Sequence, residues 1–204
     1  QNAFPSVLDG NVTPLTKVAA NFYIQQLSLG PTAAFKDMAL RPLGQDMQYV
    51  LQKLGKKLTL LGATSGDTGS AAEAAVKGLQ NIKIFMLSPV TGMSDFQKAQ
   101  MSALTGDNVF NISIPGRFDD CQDLVKAIKQ DPEFAALGAV NSINWGRIAS
   151  QVPFYVSGYL QAAGSNIGQP VDFVVPTGNF GNVLAGYIAR KMGVPIRKLI
   201  IATK

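Results

Sequence analysis

Histidine is absent from the 204 residues, and cysteine occurs once, at Cys121. The first absence removes Ser-His-Asp and Cys-His nucleophilic machinery, histidine-held metals and a histidine general base together, and no metal site is expected. A single cysteine forbids an intrachain disulfide and fits a reducing compartment, so a cytoplasmic setting is expected. Cys121 falls in the amphipathic run from Asp119 to Gln130, where a small buried apolar residue is a simpler reading than a nucleophile. Long apolar runs are missing too. No stretch reaches the ~18 residues of a membrane span, and no charged segment precedes an apolar run at the N-terminus, so neither membrane insertion nor secretion is expected. Charged residues are sparse at 15%, and the net charge of +5 is spread so thinly that the longest basic run is Lys56-Lys57. A nucleic-acid surface would gather those charges on one face with interleaved aromatics, so nucleic acid is not an expected partner, whereas a small anionic ligand is compatible.

Against these absences stand 47% hydrophobic residues, 20 glycines and 11 prolines, which give a sizeable core and frequent turns. Five short apolar runs read as strands: Leu58 to Leu61, Ile82 to Leu87, Val109 to Ile114, Val171 to Val175 and Leu199 to Ala202. They are continuous more than alternating, which suits strands covered on both faces. Helical spacing links Leu40, Leu43, Met47, Val50 and Leu54 before Gly55, with Pro42 either kinking that helix or setting its regular start near Arg41. Ser70-Ala71-Ala72-Glu73 reads as a capping box opening an Ala-rich helix that ends near Gly78. Further helices are expected over Ser94 to Thr105, Asp119 to Gln130 and Asn182 to Met192. Strand and helix in alternation imply an α/β fold, mostly parallel twisted sheets with helices on both faces, and ligands at the carboxyl ends of the strands.

Two glycine-rich turns fall at such ends. Thr177-Gly178-Asn179-Phe180-Gly181-Asn182 leads into a helix, so backbone N–H groups and the positive end of the dipole could seat a phosphate; alternatively the glycines serve only the geometry of a tight turn. Thr64-Ser65-Gly66-Asp67-Thr68-Gly69 offers hydroxyls and glycines to a second small anion. Its Asp67 would repel that anion unless it turns to a cation, to a ring oxygen or to the helix start as a cap. Upstream, Gly30-Pro31-Thr32-Ala33-Ala34-Phe35-Lys36-Asp37 sets a lysine between a ring and a carboxylate. Phe35 and its apolar neighbours would desolvate the amine enough to make it nucleophilic, while Asp37 orients it or caps the following helix. The cluster Asn141-Ser142-Ile143-Asn144-Trp145-Gly146-Arg147 could grip a phosphate, or could be a helix start with a surface arginine. An amine nucleophile with two anion seats fits the needs of a pyridoxal 5′-phosphate enzyme.

Four segments carry a family resemblance: GPTAAFKD at 30–37, GATSGDTGSAAE at 62–73, NSINWGR at 141–147 and PTGNFGNVLAG at 176–186, with lesser similarity at 13–17 and 118–126. In this order they resemble the threonine synthases, pyridoxal-phosphate enzymes of the two-lobed tryptophan-synthase-β-like fold. The resemblance implies that Lys36 holds pyridoxal 5′-phosphate through a Schiff base and shuttles protons at the substrate carbons. It implies that Gly178, Asn179, Phe180, Gly181 and Asn182 seat the cofactor phosphate. Thr64, Ser65, Gly66, Asp67 and Thr68 would receive the substrate carboxylate or lie against the ring oxygen, with Asn144 and Arg147 toward the substrate phosphate. The implied reaction converts O-phospho-L-homoserine and water to L-threonine and phosphate. A phospho-lyase or hydroxy-amino-acid dehydratase using the same cofactor is an alternative, as is a non-catalytic remnant that binds a phosphorylated metabolite. Residues 37–144 are expected to form a smaller inserted lobe, and 1–36 with 145–204 the beginning of a larger one. Relatives carry more sequence at both ends and read Asn where Lys204 stands, so this chain alone is expected to bind the cofactor weakly. The sequence sets no oligomeric state.

Overall fold

Parallel pairing joins three of the apolar runs into one sheet in the computed structural model, which describes residues 3–4, 11–140 and 144–203. The strands are β3 (Leu58–Ala63), β4 (Ile82–Pro89) and β5 (Val109–Ile114), with a two-residue strand β6 (Gly138–Ala139), in the order β5-β4-β3-β6. Leu60 pairs with Ile84 and Ile84 with Val109, which lines one face with apolar side chains. Helices α1 (Lys36–Leu54), α2 (Asp67–Val76) and α3 (Asp95–Ala103) bury Leu40, Ala71, Ala75 and Met101 on that face. Leu61, Phe85 and Leu87 point the other way, to Cys121 and Val125 of α4 (Phe118–Gln130). Both faces of β3 and β4 are covered, which is why those strands are mainly apolar, whereas the edge strand β5 leaves Phe110 and Ile112 exposed.

This sheet and its helices form one compact unit, Gly30–Asn141 with the N-terminal Gln1–Ala3, and the rest forms a second, Phe4–Leu29 with Ser142–Lys204. In the second unit β7 (Val171–Pro176) and β8 (Ile196–Ala202) pair in parallel, and α5 (Trp145–Ala163) and α6 (Gly181–Lys191) pack on one side through Val152, Tyr155, Val175, Val183 and Ile196. Val174 and Ile200, which pair in register, remain exposed on the opposite side. The expectation of strands covered on both faces therefore holds for β3 and β4 but not for β5, β7 and β8 among the described residues. The expected mostly parallel sheets are present as two, one in each unit, accompanied by an antiparallel hairpin of β1 (Leu15–Ala19) and β2 (Phe22–Gln25).

Element boundaries moved for identifiable reasons. Helix α1 starts at Lys36, five residues before Arg41, and contains Pro42 near its N-terminal end. There the missing N–H costs one bond to Met38 and leaves the rest of the helix intact. Ser70 does not open α2: the N-cap is Gly66, and the Ser70 hydroxyl donates to the Asp67 carbonyl from inside the helix. The reciprocal capping box occurs instead at Ser94 and Gln97, where α3 begins. Residues 145–163 form a 19-residue helix that the sequence pattern did not delimit, with Asn144 as its N-cap. Asn141, Ser142, Ile143 and Lys204 lie outside the described residues. Among those described, no helix is long and apolar enough to cross a membrane.

Candidate active site

The loop before α1 is shaped by a carboxylate. Asp37 is fully buried and accepts from the Thr32 backbone N–H and the Thr32 hydroxyl, both at 2.8 Å. A Cβ on Gly30 would lie 2.3 Å from Asp37, so only glycine admits this approach. Burial raises the Asp37 carboxyl above its ordinary range, while the Thr32 bonds and the Arg41 charge pull it back. Gln100 Nε2 donates to the Thr32 carbonyl at 2.7 Å, and Ala33 is held at a left-handed φ of 53°. Asp37 thus neither orients the lysine nor caps the helix; it ties the Gly-Pro-Thr turn beneath it.

Lys36 is the first residue of α1 and its Nζ donates to Asp67 Oδ1. The two side chains are 22% and 40% exposed, and Phe35 is itself exposed at 39%. Two helix N-termini meet in this pair, since Asp67 is the first residue of α2. A cation there is opposed by the positive end of α1, and the carboxylate offsets that field. The question of where Asp67 points is answered: toward a cation, with no side-chain cap at the start of α2.

The rest of the β3–α2 turn is closed by its own threonine. Thr64 is 2% exposed; its Oγ1 accepts from Gly69 N–H at 3.0 Å and Gly66 N–H at 3.3 Å and lies 3.1 Å from the Gly66 carbonyl. A Cβ on Gly69 would sit 2.4 Å from Thr64 Cγ2. The Thr64 hydroxyl is committed to the turn, which leaves the half-buried Ser65 and Thr68 and the Asp67 and Thr68 N–H groups at the start of α2 to face a ligand.

The β7–α6 turn is open. Gly178 and Gly181 lie outside the left-handed region, and a Cβ on either would meet nothing within 4 Å. Among the described residues, neither a left-handed backbone nor a close neighbour requires glycine at either position. Phe180 takes the left-handed position instead, φ 57°, as N-cap of α6. It and Ala33 are the two such non-glycine residues among those described. Both stand at loops that set candidate functional groups, where strain of this kind is sustained by surrounding contacts. The N–H groups of Gly178, Asn179 and Phe180 have no partner among the described residues, and those of Gly181, Asn182 and Val183 are first-turn donors of α6. The donor set fits a phosphate monoester such as that of pyridoxal 5′-phosphate. Asn182 keeps only its N–H for such a group, because its amide is bonded to Tyr155 and Gln151.

Asn144 is exposed and its Oδ1 caps α5 by accepting from Gly146 N–H at 2.8 Å. Arg147 is 5% exposed, not a surface arginine.

Residues 8–204 match the family of the pyridoxal-phosphate dependent enzymes. The chain belongs to that family. It is 56% identical over 196 residues to the threonine synthase of Methylobacillus glycogenes, covering 95% of this chain and 41% of that protein. The crystal structure of threonine synthase from yeast superposes with a TM-score of 0.92 at 42% identity, covering 99% of this chain and 42% of the other. A threonine synthase from Brucella melitensis with bound pyridoxal phosphate gives 0.88 at 46% identity, covering 94% and 41%. The chain spans about two fifths of the length of these relatives. The fold is the tryptophan-synthase-β-like α/β architecture of this family, and the cofactor is pyridoxal 5′-phosphate.

Proposed function

We propose that this chain is the portion of a threonine synthase that carries the covalent cofactor site, and that the whole enzyme converts O-phospho-L-homoserine and water to L-threonine and phosphate. The observation that carries this reading is the Lys36–Asp67 pair at the joined starts of α1 and α2. Similarity to threonine synthases over nearly the whole chain supports the choice of reaction. The Gly30–Asn141 unit is read as the smaller inserted lobe, expected to span 37–144, and the remainder as the beginning of the larger one. The single buried thiol agrees with a cytoplasmic setting.

When bound, pyridoxal 5′-phosphate supplies an electron sink that stabilises negative charge on substrate carbon. Lys36 Nζ is the amine that holds the cofactor covalently and, once displaced, takes and returns protons at the substrate carbons. Asp67 keeps that amine in register. Ser65, Thr68 and the Asp67 and Thr68 N–H groups at the start of α2 orient the substrate carboxylate, with Thr64 and Gly66 fixing their positions. Gly178 to Asn182 hold the cofactor phosphate through backbone donors, where a doubly charged group gains most from a helix N-terminus. Asn144 offers its Nδ2 to the substrate phosphate, and Arg147 contributes a buried positive charge.

Borohydride reduction after incubation with the cofactor, followed by peptide mass analysis, tests the reading. A pyridoxyl adduct on Lys36, lost in Lys36→Ala, is expected. An adduct of equal yield in the variant would remove Lys36 from its role. With O-phospho-L-homoserine the expected products are threonine and phosphate; release of a keto acid would instead mark a phospho-lyase.

A further inference from the structure

A glycine inside a helix interior calls for a reason, and Gly186 of α6 has one. A Cβ there would lie 2.6 Å from Tyr155 Cε1 and 2.7 Å from Cζ, so Gly186 admits the tyrosine ring against the helix. Tyr155 comes from α5, is 4% exposed, and packs on Phe173 of β7 with ring centroids 5.0 Å apart. Its hydroxyl reaches Asn182 twice: Oδ1 at 2.5 Å and the backbone carbonyl at 3.0 Å. Asn182 Nδ2 donates to Gln151 Oε1 at 3.2 Å, and Gln151 Nε2 donates to the Arg147 carbonyl at 3.0 Å. Gln151 is itself 5% exposed. The chain of bonds has a direction. Because Gln151 must give its amide to a carbonyl, it presents an acceptor to Asn182, which must then present Oδ1 to the tyrosine. The tyrosine hydroxyl therefore donates, since both Asn182 atoms that face it are acceptor oxygens, and burial, which raises its pKa, keeps that proton in place.

Resting on the phosphate seat proposed above, we infer that Tyr155, supported by Gln151, is a positioning residue for the β7–α6 anion cradle. The start of α6 has no side-chain cap, and its N-cap Phe180 sits in a conformation that costs free energy. Leaving the donors uncapped keeps them free for an anion but removes the usual means of fixing them. Asn182, two residues beyond Phe180, is therefore tied from behind by side chain and carbonyl. That single proton, shared between the Asn182 side-chain and backbone oxygens, orients the peptide planes whose N–H groups form the cradle. Tyr155 touches no ligand; it acts through Asn182.

Equilibrium binding of pyridoxal 5′-phosphate and of pyridoxal, which lacks the phosphate, to the full chain tests this. Tyr155→Phe keeps the ring and removes the hydroxyl. It is expected to weaken binding of the phosphorylated form about tenfold, the scale of one buried hydrogen bond, while leaving pyridoxal within about twofold. Gln151→Met is expected to give the same selective loss in smaller measure, and decides the matter if Tyr155→Phe shows no cooperative unfolding transition. Equal losses for both ligands would reduce Tyr155 to a packing residue and overturn the inference, as would no loss in either. Failure of the unaltered chain to prefer the phosphorylated form would overturn the seat itself, a result distinct from failure of the tyrosine to act on it.

Discussion

The turn between β3 and α2 and the turn between β7 and α6 share a composition of glycines with hydroxyl or amide side chains, yet their glycines face different things. Gly69 is pressed against Thr64, whose hydroxyl consumes the loop's own N–H groups. Gly178 and Gly181 face open space, and the donors around them are unspent. One turn is a support closed on itself that sets Asp67 against Lys36; the other leaves open space above its backbone among the described residues, the ground on which it is proposed as the anion seat. Glycine content marks a close approach of backbone to something, and only the structure says whether that something is the protein or a ligand.

The sharpest way to break this comparison is to add side chains at the two kinds of glycine. Gly181→Val is expected to lower affinity for pyridoxal 5′-phosphate about a thousandfold through loss of charge-assisted bonds, with the thermal midpoint nearly unchanged. An unfolded Gly181→Val would show that packing, not a ligand, needs the glycine.

Glu73 tests whether α2 belongs to the support. It is fully buried with Oε1 unpartnered, and burial, opposed by the Asn111 bond, pushes its carboxyl from 4.5 up to about 7. The native state thus keeps a proton that the unfolded chain releases, so this contribution to stability is full below about pH 4.5 and is lost as pH rises through about 7. Thermal unfolding against pH is expected to show that decline, and Glu73→Gln to remove it, with a gain of up to about 3 kcal/mol above pH 7. Equal pH profiles for the two proteins would contradict the shift.

Smaller effects sharpen the closed turn. Gly69→Ala is expected to cost about 2 kcal/mol in denaturant unfolding, because the new methyl overlaps Thr64. Thr64→Val, which strands two N–H groups, is expected to cost about 1 kcal/mol while leaving phosphate affinity unchanged.

The central strands β3 and β4 of the first unit were legible because burial on both faces writes a continuous apolar run. The hairpin β1–β2 was not, since Val18, Phe22 and Ile24 are exposed and carry no inward pattern. Ser70 and Glu73 have the spacing of a capping box, but the pattern cannot tell that both are buried inside a helix. The partner of Lys36 lies 31 residues away, whereas the adjacent Asp37 is the candidate a linear reading offers. Tyr155 escaped for the same reason. Its spacing of four from Gln151 places both on one helix face, but nothing in the sequence ties that face to Asn182.

Titration of the full chain with inorganic phosphate, followed by backbone amide resonances, tests the contrast between the turns most directly. The amides of Gly178 to Asn182 are expected to shift together with one saturation curve, while those of Gly66 and Gly69 stay in place. Saturable shifts centred on Gly66 and Gly69, with Gly178 and Gly181 unmoved, would contradict it.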